Sequence, residues 1–510
     1  MGFIHFNEKK RIFKGVKIAY LFLFLITPIT FFIRILFSRL LSVGDYGLFY
    51  SFVSFFSIVS LFVIFGLNSS LTHFMPKFLS EKKYLLLKKS LYQILLFQLG
   101  SGFLISVVLF LLRFKIADFY FHTPKAIPIF FMFIICFAFD LLFQFTISFF
   151  SGLNKEIMYA SLNPLRLVIV FIASMFVFIL SPDNALYKIV IIWTLSFSVG
   201  LIYLIIAIKK YSFIFFARSN PSSKPDSKSN LNSGESFFKQ LMEYGSYTLL
   251  TGGAAFFLSQ TDVVMITFFK GVEFTGLYQI ALPLVTFILL FMQPLKAFMF
   301  PMVSKLYHSG KKHVIDYMLG SAYNLGFFLL APVFVVIFSF ASEIIEIFFG
   351  SKYLSAALAT QILAVAFLFK AVSMINFIVL DGIGKVKIKS KLFIFGAIMN
   401  IILNLFLIPL FGIVGAAIST TISFLIMFVI SCIILKRLKF NIKFNNWFKI
   451  IIINIGLYLE IVLLRSVLHF HIYFKIFLIL LIIAVSYFAA AYFLKIVDFK
   501  EIKKLMSFRQ

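Results

Sequence analysis

The sequence predicts an all-α polytopic membrane protein of about fourteen transmembrane helices, arranged as two pseudo-symmetric six-helix lobes followed by two further helices. Three observations predict it. Of 510 residues, 62% are hydrophobic and only 13% charged, with a mean hydropathy of +1.05 and 75 phenylalanines, an apolar load that no water-soluble surface accommodates. Apolar stretches of about 18 to 25 residues, each long enough to cross a bilayer, recur between short charged or Gly/Pro-marked breaks. The third is an internal repeat of nearly constant offset.

In chain order the spans fall at 18–40, 46–67, 90–112, 126–150, 165–181 and 186–208, then at 247–269, 274–300, 322–342, 354–380, 392–410 and 412–435, with 447–464 and 472–494 closing the chain. The first is followed by SRLLSVGDYG, which offers no small-residue cleavage site, so it reads as a span and not as a removable signal. The eleventh and twelfth are parted only by the turn from Pro409 to Gly412. Between the sixth and seventh runs RSNPSSKPDSKSNLNSGES, a composition that buries no apolar area and suits a flexible linker. The domains expected are a lobe at 1–210, a linker at 211–237, a lobe at 238–436 and the added helices at 437–510.

The lobes carry matching words. YGLFY at 46–50 corresponds to TGLYQ at 275–279, and Lys82-Lys83 to Lys311-Lys312, both at an offset of 229. SGLNK at 151–155 corresponds to DGIGK at 381–385 at an offset of 230, and Pro182 to Pro409 at 227. Six-helix repeats share one orientation in the membrane, and two such lobes leave a seam of the kind secondary transporters open to each side in turn.

Most of the 47 Lys and Arg fall on segments that lie in the cytoplasm if the N-terminus does, leaving Arg34, Lys296 and Lys370 inside helices. The positive-inside rule therefore puts both termini in the cytoplasm of a multi-pass protein of the cell (inner) membrane. The formal charge of +28 is then a topology signal with some attraction to anionic headgroups, and no nucleic-acid partner is expected. Cys136 and Cys432 read as small apolar packers on different halves of the chain, and HFH at 469–471 as an interfacial turn, so no metal site is expected. The sequon at Asn68 lies at a cytoplasmic helix end and should go unused. SGKK and GIGKVK lack phosphate-loop spacing, which leaves no ATP-driven motor and no cofactor.

LSVGDYGLF, GLNSSLTHFMPKFLSEKK, SQTDVVMITFFKGVEFTGLYQIA, IIEIFFGSKYLSAA and NIILNLFLIPLFGIVGAAISTTIS occur in this order and resemble the polysaccharide flippases of the multidrug, oligosaccharidyl-lipid and polysaccharide exporter superfamily. The resemblance covers most of residues 1–436. It implies a V-shaped pair of lobes around a central cavity and transport of polyprenyl-diphosphate-linked oligosaccharide from the cytoplasmic to the outer leaflet by alternating access, for cell-surface polysaccharide or glycan assembly. It also implies membrane lipids and polysaccharide polymerase or glycosyltransferase machinery as partners. The chain is expected to act as a monomer, not as an enzyme. Alternatives are a cation-coupled multidrug extruder of the same fold, and a membrane polymerase or ligase acting on lipid-linked sugars. The extruder should hold a more acidic interior. Such enzymes usually need a large outer loop, and none here exceeds about fifteen residues.

A lipid-linked sugar needs fixed cations for its diphosphate. Lys296, beside Pro294, is the leading candidate, with snorkelling to the headgroups as its plainer role. Asn400 and Asn404 read as interhelical hydrogen-bonders more than as sugar ligands. Charges inside a membrane persist when paired, and the repeat offset suggests Arg34 with Asp140 and Asp262 with Lys370. Gln260, two residues before Asp262, is grouped with them. These pairs either fix helix packing or open during transport, freeing Arg34 or Lys370 for diphosphate, or an acid for a proton or sodium gradient.

Overall fold

The computed structural model describes residues 26–180, 182–215, 234–442, 447–468 and 471–493, and among these there is no strand. The chain forms two compact units, Met1–Gly276 and Leu277–Gln510. The first holds α1 (26–40), α2 (Val43–Ile64), α3 (Leu67–Ser80), α4 (Tyr84–Phe119), α5 (Ala126–Gly152), α6 (Glu156–Leu180), α7 (Ala185–Ser196), α8 (Ser198–Lys210), α9 (Ser212–Phe215), α10 (Gly234–Lys270) and the first turn of α11 (Val272–Leu290). The second adds α12 (Gln293–His308), α13 (Lys312–Ser339), α14 (Ala341–Phe348), a 3-10 turn (Ser351–Ala356), α15 (Ala357–Gly382), α16 (Val386–Arg437), α17 (Trp447–Val467) and α18 (Ile472–Phe493). Twelve described helical segments are long and apolar enough to cross a membrane. One of them, α16, is two helices joined at Gly412 (φ 58°, ψ −130°), and α1 is described only from residue 26. Every expected span has its helix.

Local chemistry sets the breaks. Ser42 caps α2 by accepting the Asp45 N–H at 3.1 Å, and the Asp45 carboxylate sits in the first turn, where the helix dipole favours it. Pro294 offers no N–H to the Leu290 carbonyl and its ring crowds that oxygen, so the run expected at 274–300 stops at Leu290 and restarts as α12. A helix not expected, α3, follows the left-handed Phe65 and Gly66. Its Leu67, Leu71, Met75 and Phe78 recur at helical spacing, lie buried, and pack on α5 and α10.

Aromatic rings fill the core of the first unit. Phe52 stacks on Phe121 at 4.2 Å and on Phe133 at 4.9 Å, and Phe49 meets Phe37 and Trp193 edge-on. Other aromatic and aliphatic side chains, such as Phe103 and Leu104 of α4, are exposed, as a lipid-facing surface requires. In the second unit, Ile450, Leu457 and Ile461 of α17 and Ile479, Ile483 and Tyr487 of α18 share one apolar cluster with Val335 of α13, and the Tyr487 hydroxyl donates to the Phe328 carbonyl at 2.6 Å.

Grouping by packing differs from grouping by repeat: the first unit runs past the linker because α10 lies against α2, α3 and α4. The linker residues 216–233 and His469 of the HFH word lie outside the described residues. Within the first unit the opening turns of α2 and α11 touch backbone to backbone. A β-carbon at Gly47 would lie 1.8 Å from the Val272 carbonyl oxygen, and one at Gly276 would lie 2.3 Å from that of Val43. At the offset of 229, Val43 is equivalent to Val272 and Gly47 to Gly276, and the two contacts join these equivalents crosswise, Val43 with Gly276 and Gly47 with Val272, the reciprocity that a local two-fold produces.

Candidate functional site

The intramembrane charges are placed first. Arg34 on α1 lies over the Tyr50 ring at 4.7 Å. Asp140, midway along α5, accepts a hydrogen bond from the Gln144 amide at 3.4 Å, and its cationic neighbour is Arg166 of α6. The sequence suggests Arg34 as the partner of Asp140; the neighbours seen are Arg166 for Asp140 and Tyr50 for Arg34. A span starting at 165 leaves Arg166 at the membrane surface, but α6 starts at Glu156 and carries it about 15 Å along the helix, against α5. Arg166 is the residue sequence reasoning missed. The signal available was the apolar run continuing upstream of Pro164 in IMYASLNPLRL.

Arg166 is only 9% exposed, and its guanidinium is caged by rings: Phe197 at 4.3 Å, Trp193 at 4.6 Å and Phe143 at 5.7 Å. Rings compensate a cation only in part. Its Nε and Nη1 atoms have no hydrogen-bond partner, and among the described residues no acidic oxygen comes within 4 Å of an Arg166 nitrogen. Asp140 and Arg166 thus attract one another across a gap inside a poorly screened interior, without locking into a direct ion pair.

The remaining candidates lie on α10, α12, α15 and α16. Asp262 is 5% exposed on α10, and Gln260 is half-buried on the same helix. Lys370 lies on α15 in the second unit, its ammonium over Phe367 at 4.7 Å and Phe424 at 4.9 Å. Lys296 is exposed near the start of α12. Asn404 donates to the Asn400 side-chain oxygen at 3.1 Å, and the Asn400 amide to the Thr420 hydroxyl at 3.1 Å across the Gly412 break. All three are buried, and the Asn400–Thr420 bond ties the two halves of α16 together while Asn404 orients Asn400.

A cavity of about 510 Å³ lies in the first unit between α3, α5 and α10. Asn68, Ser69, Thr72 and His73 line it from α3, Ile147, Ser148 and Ser151 from α5, and Tyr244 from α10. Ser69 and His73 are exposed while Ser148 is buried, so the cavity leads from the surface into the helices. Its lining holds no Lys, Arg, Asp or Glu.

Fold and site together define a many-span helical membrane protein with ionisable and polar groups among its helices. Over residues 12–307, more than half its length, the sequence matches the polysaccharide biosynthesis protein family, and the chain belongs to that family. It is 30% identical over 425 residues to an uncharacterized membrane protein of Methanocaldococcus jannaschii, covering 81% of this chain and 82% of that one. It is 29% identical over 182 residues to a probable low-salt glycan biosynthesis flippase of Haloferax volcanii, covering 36% of this chain and 39% of that one. Its fold is similar to that of a solved structure of the lipid II flippase MurJ, one described as inward closed, with a TM-score of 0.75, 15% identity, and coverage of 94% of this chain and 98% of the other.

Proposed function

We propose that this protein flips a polyprenyl-diphosphate-linked oligosaccharide from the cytoplasmic to the outer leaflet of the cell membrane, by alternating access, for assembly of a surface polysaccharide or glycan. Membership of the polysaccharide biosynthesis family carries the reading, and the named relative is a probable glycan biosynthesis flippase. The repeated helices suit alternating access, and the buried charges suit coupling to a proton or sodium gradient. The chain acts on a lipid-borne substrate as a monomer, beside the enzymes that build and polymerise the glycan. Both termini face the cytoplasm.

Proteoliposomes holding the full chain test the reading. A polyprenyl diphosphate carrying a fluorescent oligosaccharide should move between leaflets faster than in empty vesicles, and equal rates would overturn the proposal. In the same assay Lys296→Gln should slow transport severalfold with normal insertion, because an exposed cation is lost where a diphosphate would dock. Unchanged transport would return Lys296 to headgroup snorkelling.

Topology has its own test. Cysteines placed at Glu81, in the exposed turn between α3 and α4, and at Asp183, in the exposed turn before α7, should react with impermeant reagent from opposite sides. Cys136 is buried, and a Cys432→Ala background keeps the signal clean. Labelling of both from outside intact cells would refute cytoplasmic termini.

A further inference from the structure

We propose that the cavity between α3, α5 and α10 is a sugar-recognition subsite that reads the glycan of the lipid-linked substrate and leaves its diphosphate to other residues, an inference that rests on the flippase reading above. Volume and chemistry both point there. About 510 Å³ lies within the roughly 300–1,000 Å³ of small-molecule sites and admits a short saccharide.

Its lining is amide, hydroxyl and imidazole, with Ile147 the apolar exception and no Lys or Arg among the lining side chains. A diphosphate buried there would meet no lysine or arginine, whereas neutral sugar hydroxyls, each both donor and acceptor, match the groups present. The hydrogen bonds inside the protein leave both kinds of valence open. Thr72 donates to the Asn68 backbone carbonyl at 3.0 Å and Ser148 to the Gln144 carbonyl at 2.9 Å, so each hydroxyl oxygen remains an acceptor. The Asn68 side-chain oxygen accepts from Gln98 at 2.9 Å, which fixes the carboxamide and leaves its NH₂ to donate. The hydroxyls of Ser69, Ser151 and Tyr244 add groups that serve either way.

The site is also held in shape. Tyr244 stacks on His73 at 4.5 Å with an interplanar angle of 13° and meets Phe74 edge-on at 5.6 Å, which positions its hydroxyl. Gly66 and Gly245 bring α3 and α10 close enough to form two of the walls: a β-carbon on Gly66 would lie 2.1 Å from the Gly245 carbonyl oxygen. The Ser70 hydroxyl locks that approach by donating to the Leu241 carbonyl at 2.8 Å. Ser148 and Ser151 lie in the last turns of α5, just before Lys155, and α3 runs on from the cavity to Lys77 and Lys82; the proposed topology puts all three lysines in the cytoplasm, where the substrate is loaded.

The test uses the full chain in nanodiscs and two probes: the polyprenyl-diphosphate-linked oligosaccharide fraction of the source cells, and the same polyprenyl diphosphate with its glycan removed. Wild type should prefer the glycan-bearing lipid. Asn68→Ala, Ser151→Ala and the isosteric Tyr244→Phe should each weaken its binding about tenfold, as loss of a hydrogen bond in a polar site does, with the bare diphosphate bound as before. Unfolding midpoints identify any variant that is misfolded, and Tyr244→Phe keeps the shape if the others fail. A preference undiminished in all three folded variants overturns the subsite and leaves the flippase reading intact. Variants that lose both lipids alike overturn it too. A wild type that binds both lipids equally also overturns the subsite, whereas a wild type that binds neither removes the flippase reading itself.

Discussion

Gly47→Ala is expected to yield little folded protein, although alanine is the better helix former by about 0.5–1 kcal/mol. The new methyl carbon would sit 1.8 Å from the Val272 carbonyl oxygen and 2.6 Å from the Gly276 nitrogen. These are backbone atoms, so no rotamer change relieves the clash, and the opening turns of α2 and α11 must separate. Overpacking typically costs about 1–3 kcal/mol where side chains can give way. Here the cost should exceed that, against a total stability of only about 5–15 kcal/mol. Gly276→Ala, which meets the Val43 carbonyl at 2.3 Å, should act in the same direction. The double variant should cost less than the sum, because the first change has already parted the turns. Gly100→Ala on α4, with no atom within 4 Å of the added carbon, should unfold like wild type. Monodisperse yield in detergent and the unfolding midpoint decide it. A Gly47→Ala midpoint equal to wild type would mean the helices do not meet there.

That contact explains why the repeat was legible. YGLFY and TGLYQ share a glycine because Gly47 and Gly276 lie at one crossing, where reciprocal approach leaves no room for a β-carbon. Span count and positions were legible because each helix must hide its backbone polar groups in lipid over a fixed length, which writes a long apolar run. The break in the eighth span was foreshadowed by Pro294, and the turn between the eleventh and twelfth by Pro409 and Gly412. Hydropathy was blind to α3, whose amphipathic stripe is too short and too polar to read as a span. The partner of Asp140 was illegible for another reason. An offset ties residues to their repeat equivalents, but a charge takes its partner from the neighbouring helix, and whether Arg166 lies inside depends on where α6 begins. The polar cavity is spread over three helices far apart in sequence, and its serines, threonine and asparagine look like ordinary helix-end residues one by one.

Arg166→Met should be strongly destabilising alone and rescued in part by Asp140→Asn. Removing the guanidinium leaves the Asp140 carboxylate with only the Gln144 amide, whereas Asp140→Asn leaves a 91% buried cation with three rings and no anion. Stranding one member of a buried pair costs about 3–5 kcal/mol, and Arg166 is the more deeply buried of the two, so Asp140→Asn should be the worse single change. The double variant carries no charge at either position, and methionine packs readily among Phe143, Trp193 and Phe197. Its unfolding midpoint should lie above both singles and approach wild type, and a double no better than the worse single would show that the two charges do not act on each other. Transport then separates structure from mechanism. If the charges only hold α5 to α6, the stable double variant should transport as wild type does. If Asp140 carries the coupling ion while Arg166 waits across the gap, the double variant should fold and insert normally yet lose the gradient-driven part of transport. The geometry favours the second outcome: a pair meant only to fasten two helices would close to contact, whereas this pair stands apart with two guanidinium nitrogens unsatisfied.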